Sequence, residues 1–108
     1  MPHADLKYSP DLTFDPQAVF TAIEHTILAH DSGSGDCKCR SYPAEASNHT
    51  HLLIEISMLS KPHRDEAFTL RLRDAIAAAV KCHLKQSCYI SLAITYSDAM
   101  YLTDRHDM

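Results

Sequence analysis

The sequence predicts an α/β (α+β) fold: a single domain over residues 1–108 in which two βαβ units form a four-stranded mixed sheet with two helices on one face. Three observations predict it. Four segments alternate apolar and polar residues with the period of two expected of a strand covered on one side. Two longer segments repeat apolar residues at helical spacing. The elements follow one another as βαβ and then βαβ, and a right-handed crossover in each half puts both helices on the same side of the sheet. At 108 residues the chain has material for one core, around which a domain of this size buries roughly two thirds of its unfolded surface.

Residues Pro2 to Tyr8 form the first strand, with Ala4, Leu6 and Tyr8 on one side and His3, Asp5 and Lys7 on the other. Ser9, Pro10 and Asp11 break it. Asp15 followed by Pro16 starts a helix, because the carboxylate caps free amides and proline needs no amide partner at the first position. That helix runs to about Ala29, with Val19, Ile23, Thr26, Ile27 and His30 along one stripe, and Gly33 and Gly35 end it. Cys37 to Tyr42 alternates again, placing Lys38, Arg40 and Tyr42 on one side. Thr50 to Leu59 is the clearest strand; Leu52, Ile54, Ile56 and Met58 share one side. Its other side carries Leu53 and Leu59, apolar enough to predict contact with another subunit. A second helix, entered near Pro62, extends to Leu84 with Phe68, Leu72, Ala75, Ile76, Ala79 and His83 on one face and Arg64 on another. Cys88 to Tyr96 supplies the last strand, and the polar tail from Ser97 is expected to order only against a neighbour.

Composition narrows the function. Apolar residues make up 45% of the chain, enough for a packed interior. Ten Lys and Arg against fourteen Asp and Glu give a net charge of −4, which argues against a nucleic-acid or anionic-membrane partner and for a small molecule. No apolar run approaches the length of a secretion signal or a membrane span, so a cytoplasmic location is expected. Cys37, Cys39, Cys82 and Cys88 are then read as free thiols.

Two features carry chemistry. Proline after an initiator methionine permits removal of Met1, which would convert the Pro2 nitrogen from a non-basic amide to a secondary amine titrating near about 8. An apolar wall or nearby cations lower that value toward neutral pH, where the amine can carry protons. Proline is also simply permitted at the first position of a strand. Lys38 and Arg40 project from the same strand side, so their heads can converge on one anionic ligand. Arginine offers a planar fork for a carboxylate and lysine a mobile point charge. Alternatively, the pair is a solvated face or a set of salt bridges.

The opening Met1-Pro2-His3, Tyr8-Ser9 and Leu12, the basic strand Lys38-Cys39-Arg40, the element order and the length together resemble the 5-carboxymethyl-2-hydroxymuconate isomerase family of the tautomerase superfamily. The resemblance covers most of the chain and implies a tautomerase-like fold. It implies Pro2 as base and then acid in moving a proton on an unsaturated keto or dienol di- or tricarboxylate, in breakdown of an aromatic acid. Arg40 and Lys38 would hold the substrate carboxylates. It further implies no cofactor, no metal, and a homotrimer whose sheets face one another. The chain departs from the family pattern at Lys38, where members often have Arg, at Lys7, where an acidic residue is usual, at Leu53, where a His is common, and at Lys61-Pro62 in place of Gly-Arg-Ser/Thr.

Two other readings compete. Cys37-x-Cys39 and His49-x-His51 lie on common strand faces and could belong to a metal-binding module, although neither pair has strong ligand spacing. A noncatalytic trimeric protein on the tautomerase scaffold is the other. His3 is expected to shape the site without transferring protons.

Overall fold

The computed structural model describes residues 1–108. Its elements are β1 (His3–Tyr8), α1 (Pro16–His30), β2 (Lys38–Pro43), β3 (His51–Leu59), α2 (Glu66–Lys81) and β4 (Tyr89–Ser97). The strands form one sheet in the order β2-β1-β3-β4. β1 runs parallel to β2 and β3 parallel to β4, while the two halves meet antiparallel through β1 and β3. The sheet is therefore mixed, as expected. The halves share a register: His3 lies opposite Lys38 in the first, and His51 opposite Tyr89 in the second.

The core sits where the alternation and the helical stripes meet. Ala4 and Leu6 from β1, and Leu52, Ile54, Ile56 and Met58 from β3, face Val19, Ile23 and Ile27 from α1 and Phe68, Leu72, Ile76 and Val80 from α2, all nearly or fully buried. The molecule measures 39 × 38 × 21 Å with a radius of gyration of 14.4 Å. A thickness of 21 Å holds one helix layer on one sheet, since stacked layers sit about 10 Å apart. The radius exceeds the roughly 13 Å of an average compact domain of this length, as a slab with one bare sheet face should.

That bare face carries more charge than the sequence suggested. Leu53 and Leu59 are half-buried, but Glu55 between them pairs with Lys7 across the strands at 3.0 Å, and Asp5 pairs with Arg40 at 2.8 Å. The hydrogen bond from Lys7 to Glu55 and their attraction raise the Lys7 pKa.

The helix starts follow their caps. The Asp15 carboxylate accepts from the amides of Gln17 and Ala18, with Pro16 at the first helical position. α1 ends at Asp31, ahead of both glycines; Gly35 alone adopts the left-handed backbone, at φ 78°. α2 is shorter than predicted at both ends. Residues 61–64 close a turn, with the Arg64 amide donating to the Lys61 carbonyl at 3.0 Å. The Asp65 carboxylate then caps the helix by accepting from Phe68 N at 2.8 Å. A side-chain acceptor satisfies an orphan amide, which the fixed φ of Pro62 does not. At the other end His83 and Leu84 fold back in tight turns onto Val80 and Lys81, leaving His83 exposed.

Arg64 differs most from its expected surface position. Its side chain is 2% exposed and meets the Asp31 carboxylate, 8% exposed, at 2.8 Å. It also donates to the Leu59 carbonyl at 2.6 Å, and His63 approaches the same carboxylate at 2.9 Å. Burial alone would raise the Asp31 pKa, but hydrogen bonds from His63 and Arg64 and the charge of Arg64 outweigh it and hold the carboxyl below its usual value. A depressed folded-state pKa contributes stability that is complete above the unfolded value of about 4 and is lost as pH falls through the folded value. The urea midpoint is accordingly expected to drop on acidification below about pH 4. Asp31→Asn should start from a lower midpoint and lose part of that acid dependence; an unchanged acid limb would show that the carboxylate contributes nothing.

Candidate active site

Pro2 sits at the head of β1 and is fully buried. Its position in the alternation puts the ring on the helix side with Ala4 and Leu6, while its carbonyl accepts from the Lys38 amide at 2.9 Å. Parallel pairing sets Lys38 beside His3 and Arg40 beside Asp5, so Lys38, Arg40, His3 and Asp5 share the bare face of the sheet. The two cations differ. Lys38 is exposed and belongs to none of the ion pairs. Arg40 is engaged: its Nε donates to Asp5 at 2.8 Å, and both terminal nitrogens lie 3.3 Å from His3 Nδ1. Burial would lower the Arg40 pKa, but the hydrogen bond to Asp5 and its charge raise it.

These contacts fix the state of His3. A guanidinium can only donate, so Nδ1 accepts and the ring proton lies on Nε2. Nε2 then donates to the Tyr101 hydroxyl at 3.1 Å, which donates in turn to the Met1 carbonyl at 3.2 Å. Burial first, then the charges of Arg40 and the amino terminus, lowers the His3 pKa, which favours this neutral tautomer. A hydrogen-bond chain thus links Asp5, Arg40, His3, Tyr101 and the carbonyl that acylates Pro2, with Arg40 donating to both of its neighbours.

Tyr101 shows that the tail is not waiting for a neighbour. It packs edge-on against His3, with ring centroids 6.3 Å apart, and Thr103 approaches the Met1 sulfur at 3.8 Å. Between tail and sheet lies a cavity of about 530 Å³ lined by Met1, His3, Lys38 and, from the tail, Arg105 and His106 among others. A second cavity, of about 280 Å³, opens on the sheet beside His3, Asp5, Arg40, Glu55, Ser57 and Thr95. His3 borders both. His3, expected to shape the site, is the hub of these contacts, and Tyr101 and Arg105 are the residues the sequence reading missed. A polar tail following the last strand carries no signal of where it docks.

The metal-module residues are dispersed. Cys37 and Cys39 lie with their sulfurs 3.6 Å apart, while His51 turns its Nδ1 to the carbonyl of His49 at 3.0 Å. No three His, Cys, Asp or Glu side chains gather in an arrangement that could hold a metal ion. No helix is long and apolar enough to cross a membrane.

Neither a family model nor a curated protein sequence matches the chain; solved structures do. A 5-carboxymethyl-2-hydroxymuconate delta-isomerase superposes with a TM-score of 0.70 at 20% identity, covering 100% of this chain and 89% of that one. A 5-carboxymethyl-2-hydroxymuconate isomerase from Deinococcus radiodurans R1 gives 0.69 at 18% identity, covering 98% and 90%. A fused 4-OT wild type symmetric trimer gives 0.73 at 12% identity, covering 95% and 93%. The chain has the fold of these proteins over nearly its whole length, and its resemblance to the tautomerase superfamily holds at the level of that fold.

Proposed function

We propose that this tautomerase-like scaffold is an isomerase that shifts a proton on a small unsaturated keto or dienol di- or tricarboxylate, using the amine of Pro2 exposed by loss of Met1. The observation that carries the reading is the position of Pro2: buried at the head of β1, tied to Lys38 through its carbonyl, and placed in the chain between Met1 and His3, which with Lys38 and Arg105 border a cavity.

The amine takes a proton from carbon, negative charge spreads over the dienolate, and the same nitrogen returns the proton at a different carbon. Lys38 holds one carboxylate. Arg40, aimed by Asp5, holds a second or steadies the developing charge. Both cations also lower the amine pKa toward neutral pH. No cofactor enters. Three copies whose bare sheet faces meet would cover Leu53 and Leu59, and the fused 4-OT relative is itself a symmetric trimer. The setting is cytoplasmic breakdown of an aromatic acid.

Tyr101 gains a role when Met1 leaves. His3 already donates to its oxygen, so the phenol proton, having lost the Met1 carbonyl, is free for the nearby amine. A hydrogen bond to the neutral amine favours that form and depresses its pKa. One such bond, worth about 1 kcal/mol, is a factor of about five. Tyr101→Phe is therefore expected to lower kcat/KM about fivefold at neutral pH and to move the acid limb of its pH profile upward. A profile that keeps its position would remove Tyr101 from the mechanism.

The deciding experiment is ultraviolet detection of ketonisation of 2-hydroxymuconate and of enol phenylpyruvate by protein with an exposed Pro2. Turnover, greater for the dicarboxylate, is expected. One observation favours a noncatalytic scaffold instead: Asp5 already neutralises Arg40. No rate above buffer with any dienol would establish that second reading.

A further inference from the structure

Cys37 and Cys39 flank Lys38 at the start of edge strand β2. They belong to the helix-facing side, their sulfurs are in contact at 3.6 Å, and neither forms a disulfide. Glu24 of α1 holds the first of them in place by accepting from the Cys37 amide at 2.9 Å. Both residues line an open cavity of about 380 Å³ with Gln17, Phe20, Thr21 and Glu24, and Cys39, half-exposed, is the one a small solute can reach from solvent.

The two sulfurs are not equivalent. Cys37 is buried and Cys39 half-exposed. The hydrogen bond between them, added to burial, pushes the Cys37 thiol far up, while the same bond lowers the Cys39 pKa. Cys39, the more exposed of the two, is the one that ionises in contact with solvent, and the Cys37 thiol then donates to it. A thiolate that a solute can reach, in contact with a second thiol, is the arrangement found in oxidant-sensitive pairs.

We propose that Cys37 and Cys39 form a hydroperoxide-oxidised dithiol, closing a reversible Cys37–Cys39 disulfide that displaces Lys38. The Cys39 thiolate attacks the peroxide oxygen, the O–O bond breaks, and the alkoxide or hydroxide released takes up the proton that Cys39 had lost. Cys37 then attacks the sulfur of the Cys39 sulfenic acid. The S–S bond forms, the S–O bond breaks, and the departing hydroxide leaves as water with the Cys37 proton. Two electrons pass from the thiols to the peroxide, and an excess of thiol reductant reverses the closure.

Closure must act on Lys38. Alternate residues of a strand lie about 6.6 Å apart, near the upper end of the Cα separation of about 4.4–6.8 Å that a disulfide spans, and sulfurs in mere contact must approach further. β2 is an edge strand with no outer neighbour to hold it flat, so it buckles at Lys38, whose amide bonds to the Pro2 carbonyl. The thiol pair would in this way report oxidant to the head of β1, and its chemistry stands whether or not Pro2 is catalytic.

The test uses the whole chain and hydrogen peroxide. Intact mass is expected to fall by two hydrogens and titratable thiols from four to two. Tryptic digestion without reductant, which cuts after Lys38, should join the peptide ending at Lys38 to Cys39-Arg40, and dithiothreitol should restore the starting mass. Exchange of the Lys38 amide should accelerate by about tenfold or more on oxidation. Cys39→Ser, close to isosteric, should lose the closure, while Cys82→Ser and Cys88→Ser should keep it. Sulfinic acid at Cys39 without a link, loss of Cys82 or Cys88 thiols instead, or cross-linked chains would overturn the proposal. A link that leaves Lys38 exchange unchanged would overturn the displacement.

Discussion

Protein that retains a residue ahead of Pro2 is expected to isomerise its dienol at least about a hundredfold more slowly than protein with a free Pro2, because acylation removes the lone pair and general acid–base catalysis contributes about 10²–10⁴. Met1 makes this a clean comparison. It is 38% exposed and lies outside the core, reaching the Thr103 hydroxyl, the Tyr101 hydroxyl through its carbonyl, and the space beside Gly35, where a Cβ would stand 3.9 Å from its side chain. Retaining it leaves the core intact, so melting temperatures should agree while rates diverge. Pro2→Ala is less clean, since the buried ring also fills space and an alanine amine would still titrate near about 8. Equal rates from blocked and free termini would end the proposal.

Arg64→Leu is expected to destabilise the fold by about 3 kcal/mol, the lower end of the cost of breaking a buried pair, because the His63 hydrogen bond to Asp31 remains. On a chain of this size 3 kcal/mol corresponds to a fall of about 12 °C or more in Tm. The argument rests on enclosure: side chains 2% and 8% exposed gain little from water once the pair is cut. The double variant Arg64→Leu with Asp31→Leu should recover most of the loss, because the orphaned charge is gone and apolar atoms fill the space. A single substitution costing under about 1 kcal/mol, the range of an exposed pair, would mean that water reaches Asp31.

What could be read in advance followed the range of each interaction. All four strands and the apolar buried positions of both helices were legible, since alternation at Ala4, Leu6 and at Leu52 through Met58 reports burial residue by residue, but His30 and His83, placed on the helix stripes, are exposed. The start of α1 was legible because Asp15 and Pro16 act within one turn. The start of α2 was misplaced because Pro62 opens a turn and not the helix, and it is Asp65, three residues on, whose carboxylate meets an amide. Lys38 and Arg40 on one face follow from spacing, and sheet pairing puts them there. Their different freedom does not follow, for Asp5 lies 35 residues from Arg40. Asp31 and Arg64, 33 residues apart, and Tyr101 and His3, 98 apart, were hidden for the same reason: nothing local to either residue names the other.

The register shared by the two halves carries a further consequence. In the first half Pro2 precedes His3, opposite Lys38, with Arg40 two residues on; in the second, Thr50 precedes His51, opposite Tyr89, with Ser91 two residues on. The frame is duplicated and the functional groups are not. Under the proposed mechanism one βαβ unit holds the amine and its cations, while its twin completes the architecture. On that mechanism a reagent that captures the Pro2 amine counts polypeptides, one equivalent apiece, however many strands the assembly brings together.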